Sequence, residues 1–276
     1  MSMRKSAAFV AAGLLALAPV CSVAATTAAP AVGPVVKANP PRGLTGPGSL
    51  SGLWVMQGYI SSTHPARERV ARDENGVVPA MLPWAKALVE KRVSDADDKG
   101  LIFANTAVLC LPQGVPYYLF GAITGPLQII ETPEQVTFIS EEFNEIWLAY
   151  LNQKHRSDDD SDGPTFHGES VAHWEGNVLV IDTIRISTKT TIDQVGMPHS
   201  EALHVITRGR RVDANTLEFR ITIDDPKTFE KPWTRKVLYK KAKAGERIED
   251  YACDNQRNII DPTTGLQGKS LEKGEP

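Results

Sequence analysis

Two polar turns, each flanked by runs rich in β-branched and aromatic residues, constrain the fold of this chain more than any other feature. The turns read Glu-Gly-Asn and Asp-Ala-Asn, and the runs beside them are residues 167–174, 178–186, 203–212 and 217–223. Two such runs around a short polar turn are typical of a β-hairpin, because only antiparallel neighbours can be joined so tightly. The sequence therefore predicts antiparallel sheet in this half of the chain.

Further strand-like runs extend this pattern in both directions. They are residues 51–56, 127–131, 135–140, 233–240 and 248–253. Some eight antiparallel strands at this spacing, roughly the number in small closed sheets, favour a barrel or a sandwich. A helix is indicated between Pro83, at a first helical position, and a stop near Gly100. We therefore predict a mainly β fold, an antiparallel barrel or sandwich with one or two helices in the N-terminal third.

The start of the chain has the three parts of a cleavable signal peptide. Arg4 and Lys5 give a positive start, residues 7–20 are apolar, and small residues at 23–25 offer a cleavage site. The apolar run is shorter than the roughly 20 residues of a membrane span. A retained membrane anchor and a lipid attached to Cys21 are the alternatives to a cleaved signal peptide. The predicted organisation is a signal peptide at 1–25, a flexible leader at 26–48, a single β-rich domain at 49–258 and a loose tail at 259–276.

Removal of the signal peptide would leave an even number of cysteines. Of the three in the chain, Cys21 would be lost, while Cys110 and Cys253 would remain. In a periplasmic or secreted protein two remaining cysteines favour a disulfide bond, with two separate buried thiols as the alternative. The formal charge would change from −3 to −5, because Arg4 and Lys5 are lost and no acid is lost. No basic patch stands out, so nucleic acid is not an expected partner, and no membrane span is predicted.

A series of different short motifs extends along most of the chain after the leader. In order they are Gly-Leu-Trp at 52–54, Cys-Leu-Pro-Gln-Gly-Val-Pro at 110–116, Trp-Glu-Gly-Asn-Val-Leu-Val-Ile-Asp-Thr at 174–183, His-Ser-Glu-Ala-Leu-His at 199–204, Lys-Pro-Trp-Thr at 231–234 and Tyr-Ala-Cys at 251–253. In these motifs the chain resembles a widespread family of secreted, mostly uncharacterised bacterial proteins, a resemblance that implies export but no particular activity. Residues 145–162 depart from the family, whose members have an Arg-rich strand and a short turn there. The opening Gly-x-Trp is also similar to that of lipocalin-like barrels, which is an analogy of fold alone.

An acidic run within residues 145–162 matches the spacing of a calcium-binding loop. The oxygen ligands of an EF-hand would correspond to Asp158, Asp160, Asp162 and Glu169, with Gly163 at the turn. Residues 143–151 before it have apolar side chains at helical spacing, as an entering helix would. Residues after Glu169 form a hairpin strand instead of an exiting helix. A solvent-exposed acidic loop therefore stands as the alternative to a calcium site.

Histidines and carboxylates near the two hairpins are the candidate catalytic groups. Because side chains alternate along a strand, His167 and His173 share one face with Glu169, and His199 shares a face with Glu201. Convergence of such groups inside a barrel suits acid–base chemistry, zinc binding or purely structural hydrogen bonds, and all three remain open. For catalysis the residues we select are His199, Glu201 and His204, assisted by His167, His173 and Asp182.

Aromatic residues provide a lining for a ligand cavity, although many of them are equally expected in a plain core. The candidates are Trp54, Tyr117, Tyr118, Trp147 and Trp174, with Tyr117 and Tyr118 placed in a loop at the pocket mouth. The sequence contains no phosphate-binding loop or dinucleotide fingerprint, so no organic cofactor is expected, and calcium or zinc remain as metal candidates.

The sequence therefore predicts a secreted or periplasmic β-barrel enzyme that performs cofactor-independent acid–base chemistry. The reaction would be of the lyase, isomerase or cyclase type on a small apolar or aromatic molecule. The alternative is a non-catalytic periplasmic protein that binds a small molecule in the same cavity. The residues alone do not select between these two functions, nor do they predict the oligomeric state.

Overall fold

The computed structural model describes residues 48–60, 63–120, 125–156, 163–251, 253, 258–260 and 266–269. All of them belong to one compact unit, residues 37–276. The predicted signal peptide and all but the last residue of the predicted leader lie outside the described residues. Asp158, Asp160 and Asp162 of the predicted calcium loop lie outside them as well.

Nine strands of the described chain close into a barrel, which confirms the barrel alternative of the predicted fold. In chain order the strands are β1 (Gly52–Met56), β2 (Ile102–Phe103), β3 (Leu127–Glu131), β4 (Gln135–Ser140), β5 (Ile146–Leu151), β6 (Glu169–Glu175), β7 (Val178–Ile184), β8 (His204–Asp213), β9 (Thr216–Asp224), β10 (Trp233–Lys241), β11 (Asn258–Ile260) and β12 (Leu266–Lys269). The barrel contains β1 and β3 to β10, and β1 closes it by pairing with both β10 and β3. Neighbouring strands are antiparallel except at β5 and β6, which are parallel.

Large side chains fill the interior of the barrel. Trp54, Phe138, Trp147, Phe219 and Tyr239 are all fully buried. The Phe138 ring stacks on Trp147 with centroids 4.6 Å apart, and Phe219 meets the edge of Tyr239 at 5.6 Å. Alternation along each strand sends every second side chain inward, and a barrel of this size is just wide enough to be filled in this way. The space predicted to hold a ligand is therefore occupied by the protein's own core.

The helices are few and lie outside the sheet. Among the described residues they are α1 (Ala66–Arg69), α2 (Pro83–Lys99) and α3 (Tyr117–Phe120), with a 3₁₀ turn at Glu142–Asn144. Helix α2 begins at Pro83 and is followed by Gly100, whose left-handed φ of 70° ends the helix, as predicted. No helix among the described residues is long and apolar enough to cross a membrane.

Three local predictions differ from the structure. Residues 146–151, read as part of a helix, form strand β5, because their apolar side chains also alternate and the positive φ of Phe143 and Asn144 interrupts a helix just before them. Residues 248–251 and 253, predicted as a strand, have no regular structure. Within the predicted loose tail, β11 and β12 pair with each other, and β12 pairs with β2.

The predicted disulfide bond is confirmed. Cys110 and Cys253 are bonded, with their Cα atoms 5.6 Å apart and a sequence separation of 143. The bond joins the segment before α3 to the chain after β10. It therefore closes a loop that contains most of the barrel.

We expect the variant Cys110→Ser to lose roughly 2–5 kcal/mol of unfolding free energy, because an open chain gains more conformational entropy on unfolding than one with a long closed loop. Urea unfolding of the variant and of the wild type measures the difference. The double variant Cys110→Ser/Cys253→Ser is the control, and it should match the single variant. A wild-type unfolding midpoint that does not move on reduction would contradict the expectation.

Candidate functional site

A groove opens on the barrel surface where β5 and β6 separate. The two strands pair over only two positions, Tyr150 with Val171 and Leu151 with Ala172. Their first residues diverge, and the groove between them has a volume of about 660 Å³. Below it the indole nitrogen of Trp147 donates a hydrogen bond of 2.8 Å to the Ser170 hydroxyl. This bond connects the two strands where the backbone ladder is missing.

A buried carboxyl group and an imidazole meet at the end of the groove where the strands begin. Glu145 directly precedes β5, and His167 lies two positions before Glu169, the first residue of β6. The Oε2 of Glu145 lies 3.2 Å from the Nε2 of His167, and the two side chains are 1% and 14% exposed. The backbone amides of Gln113 and Gly114 donate to the same carboxyl group, at 2.6 and 3.4 Å.

Gly114 allows the loop before α3 to reach this position. Its φ of 73° is in the left-handed region, and a Cβ atom there would lie 2.1 Å from the carbonyl oxygen of Phe166. A residue with a side chain would therefore push residues 113–114 away from Glu145 and His167. The Cys-Leu-Pro-Gln-Gly-Val-Pro motif in this way supplies the amide donors of the site.

The contact between Glu145 and His167 is better described as a pair of uncharged groups than as an ion pair. Burial raises the pKa of Glu145 to about 7, against the lowering effect of the two backbone amides. Burial also lowers the pKa of His167 to about 4. Both shifts have the same cause, since a low-dielectric environment disfavours the charged form of each group. Near neutral pH the carboxyl group therefore exchanges its proton readily while the imidazole stays uncharged.

Three buried polar atoms around this pair have no hydrogen-bond partner in the described chain. They are the Nδ1 of His167, the hydroxyl of Tyr118 and the Oε1 of Gln113. The Tyr118 ring meets the His167 ring edge-on, with centroids 5.4 Å apart. Burial, and after it the nearby charge of Glu145, raises the pKa of Tyr118. Native proteins pair nearly all buried polar groups, and of these three residues His167 lines the groove, so its Nδ1 is the atom that a ligand or water in the groove could complete.

A second group of titratable residues lies on the outer face of the barrel. The Oδ1 of Asp182 lies 2.8 Å from the Nε2 of His204 and 3.1 Å from the Nε2 of His155. The Nδ1 of His155 lies 3.8 Å from Glu169, which also lines the groove. Sequence analysis selected Asp182 and His204 but missed His155. Its only signal was a position inside the segment that departs from the family pattern.

The predicted grouping of His199, Glu201 and His204 does not form. Strand β8 begins only at His204, and the preceding residues make a turn in which Asp225 accepts hydrogen bonds from the amide and hydroxyl of Ser200. The buried His199 donates from Nδ1 to the Ser200 carbonyl at 2.9 Å, and its Nε2 lies 2.8 Å from the Thr190 hydroxyl. Burial lowers the pKa of His199, so it serves as a neutral structural group.

Two further candidates lie on the surface and away from the groove. Glu201 is exposed and pairs with Lys227 at 2.5 Å. His173 is 52% exposed and pairs with Glu175 at 3.2 Å. Of the residues selected as catalytic, His167 alone therefore belongs to the groove.

The predicted ligand-binding aromatic residues divide in the same way. Trp147 lines the groove and Tyr118 contacts His167. Trp54 is core, and its indole donates to the Leu50 carbonyl at 2.9 Å. Trp174 packs against the core. Tyr117 and Tyr118 lie in the buried helix α3 and not in a loop at a pocket mouth, because their apolar rings close the barrel end.

The described residues contain no group of three or more His, Cys, Asp or Glu side chains placed to bind a metal ion. Glu169, the predicted last calcium ligand, accepts a hydrogen bond of 2.5 Å from the Arg156 amide and lies 3.6 Å from the Arg185 guanidinium. The calcium prediction itself stays untested, since its three aspartates lie outside the described residues.

The opposite pKa shifts of Glu145 and His167 predict opposite pH profiles for two variants. In Glu145→Gln the remaining His167 is charged in the unfolded chain but neutral in the folded one between pH 4 and 6.5, so stability should rise with pH in that window. In His167→Gln the remaining Glu145 ionises near pH 7 when folded but near 4.5 when unfolded, so stability should fall as pH rises from 4.5 to 7. Each change should be about 1–3 kcal/mol. In the wild type the two effects oppose each other.

Urea unfolding of the three proteins at half-unit steps from pH 4 to 7.5 measures these profiles. The control is His173→Gln, which removes an exposed imidazole and should keep the wild-type profile. Profiles of Glu145→Gln and His167→Gln that both run parallel to the wild type would contradict the assignment of the shifted groups.

Comparison with known proteins adds a distant structural likeness. No family model matches the chain, and no curated protein matches it. Among solved structures, the chain is similar to a secretary abundant heat soluble (SAHS) protein from Ramazzottius varieornatus, at 14% sequence identity and a TM-score of 0.34. The match covers 72% of this chain and 98% of that one. The resemblance to a family of secreted bacterial proteins thus stays a prediction from the motifs.

Proposed function

We propose that this protein is an exported enzyme that transfers a proton on a small apolar or aromatic molecule bound in the groove between β5 and β6. The observation that carries the proposal is the buried Glu145–His167 pair in the wall of the groove, in which the Nδ1 of His167 has no partner among the described residues. Acid–base catalysis is most effective when the pKa of the catalytic group lies near the working pH, and the pKa of about 7 for Glu145 meets this condition.

The pair supplies a base and an acid from one proton-exchanging unit. His167, the more exposed partner, would take a proton from the ligand on Nδ1 and pass its Nε2 proton to Glu145, whose pKa of about 7 lets it accept and release a proton near neutral pH. A proton taken from one atom and returned to another gives an isomerisation, and a proton taken with loss of a leaving group gives a lyase reaction.

The walls of the groove support an apolar substrate. Ile146, Leu148 and Tyr150 point outward from β5 into the groove, and Ile146 and Tyr150 are 55% and 39% exposed. Large apolar side chains left exposed beside a concave polar site are typical of ligand-binding surfaces.

Export is supported by the signal-peptide features and by the disulfide bond. A disulfide between Cys110 and Cys253 persists in an oxidising compartment, which is where the N-terminal sequence would direct the chain. The groove would then meet molecules of the periplasm or the surroundings of the cell.

A second candidate function is binding without catalysis. It is favoured by the same exposed apolar residues, Ile146 and Tyr150, which would hold a ligand whether or not a proton moves. In this function the Glu145–His167 pair would only orient the ligand.

Comparing three variants on a metabolite extract separates the two functions. Purified wild type and His173→Gln should consume at least one compound of a bacterial culture extract, followed by liquid chromatography and mass spectrometry. His167→Gln should be slower by roughly 10²–10⁴-fold, because it lacks the acid–base group. The rate of the wild type should rise through pH 7 as Glu145 ionises, and Glu145→Gln should lose this dependence.

Compounds that wild type and His167→Gln both retain on gel filtration, without conversion, would assign the binding function instead. Equal conversion by wild type and His167→Gln would overturn the catalytic role of the pair. The surface variant His173→Gln controls for general effects of losing a histidine.

A further inference from the structure

A second cavity lies at the barrel end where β10 begins, and it shares no lining residue with the groove. It has a volume of about 200 Å³, room for roughly six water molecules. Its apolar and aromatic walls come from the chain after β1, from the end of α1 and from α3. The residues that matter here are Ile60, Val70, Tyr117, Phe120 and Arg235.

Arg235 brings a positive charge into this cavity. It occupies an inward position of β10, between the buried Trp233 and Val237. Its guanidinium carbon lies 5.0 Å from the centre of the Phe120 ring. In the described part of the chain it has no hydrogen bond and no carboxylate within ion-pair distance, and burial lowers its pKa. A half-buried cation without a partner is unfavourable, and contact with one aromatic ring offsets only part of this.

The nearest buried carboxylate is already committed to backbone groups. The Oδ1 of Asp193 accepts hydrogen bonds from the amides of Val195, Gly196 and Met197, at 3.0, 3.0 and 2.9 Å. Its Oδ2 accepts a bond of 2.7 Å from the Ala71 amide. Asp193 therefore acts on Arg235 only through its charge, without a hydrogen bond.

The other acidic residues at the cavity are also occupied or exposed. The carboxylate of Asp73 accepts bonds of 2.9 Å from the amides of Asn75 and Val77. Glu74 pairs with Arg220 at 2.6 Å, and Glu68 is exposed to solvent. Lys236 lines the cavity as well but is exposed to solvent, so the partly buried guanidinium of Arg235 is the charged group that most lacks a complement there.

We infer that this cavity binds a small carboxylate with an apolar body, of about the size of benzoate. The planar guanidinium of Arg235 presents paired N–H donors that match the two oxygens of a carboxylate. Phe120, Tyr117, Ile60 and Val70 would contact the apolar part of the ligand. The inference concerns a site separate from the proposed acid–base groove and does not depend on the reaction proposed there.

The ligand-free protein should also respond to loss of the positive charge of Arg235. Arg235→Met keeps most of the side-chain volume and removes an unpaired cation, so the melting temperature of the ligand-free variant should rise by roughly 2–4 °C. Arg208→Met is the matched control, because Arg208 is exposed on β8 and paired with Glu175. It should leave the melting temperature unchanged or slightly lower.

The test uses sodium benzoate as the probe, with benzyl alcohol as a neutral analogue and inorganic phosphate as a different anion. Thermal unfolding and calorimetric titration are measured for wild type, Arg235→Met and Arg208→Met. Benzoate should stabilise wild type and Arg208→Met, and its affinity should fall roughly 10–100-fold in Arg235→Met. Benzyl alcohol and phosphate should bind at least tenfold more weakly than benzoate.

Three results would overturn the inference: no benzoate binding to the wild type, equal benzoate binding to Arg235→Met, or phosphate binding as tight as that of benzoate. Arg235→Lys provides a second variant in case Arg235→Met does not fold. It keeps the positive charge but lacks the paired donors, so benzoate affinity should fall severalfold without any gain for phosphate. If Arg235→Lys bound benzoate as tightly as the wild type does, recognition of the carboxylate by paired N–H donors of Arg235 would be contradicted.

Discussion

The odd number of strands in the barrel sets the position of the groove. In a closed sheet each strand has two neighbours, so an odd number of strands cannot all be antiparallel, and a nine-stranded barrel must contain a parallel junction. Here that junction is β5 and β6, and parallel strands require a long crossover connection between them. The connection spans residues 152–168, and β5 and β6 pair over two positions and diverge where Glu145 and His167 lie. The candidate site thus follows from closing the sheet with nine strands.

A filled barrel interior leaves the surface and the ends as places for ligands. Because Phe138, Trp147 and Phe219 occupy the interior, neither the groove nor the cavity at Arg235 extends through it. Helix α3 connects the two places: Tyr117 lines the cavity, and the next residue, Tyr118, contacts His167.

Sequence analysis predicted strands better than it predicted the site, for a physical reason. The bounds of β3 and β4 match the predicted 127–131 and 135–140, since alternation and a turn are local properties. The grouping of His199, Glu201 and His204 failed because it assumed a strand where Asp225 fixes a turn through Ser200. Glu145 was never selected, although it opens the segment that departs from the family pattern. Its role depends on amides of Gln113 and Gly114, about thirty positions earlier, and no local pattern encodes such a contact.

Both candidate sites hold polar groups that the fold itself does not satisfy, and the rest of the molecule must stabilise them. At the groove these groups are the unpaired atoms of His167, Tyr118 and Gln113, and at the barrel end the unpaired group is the Arg235 guanidinium. Each fully buried unpaired atom costs about 1–3 kcal/mol, a large share of the stability of a small domain, whereas the partly exposed Arg235 guanidinium costs less. The packed aromatic core and the Cys110–Cys253 bond provide the compensating stability. Because a ligand that pairs these groups binds the folded chain alone, it would raise the stability of the protein in proportion to its affinity.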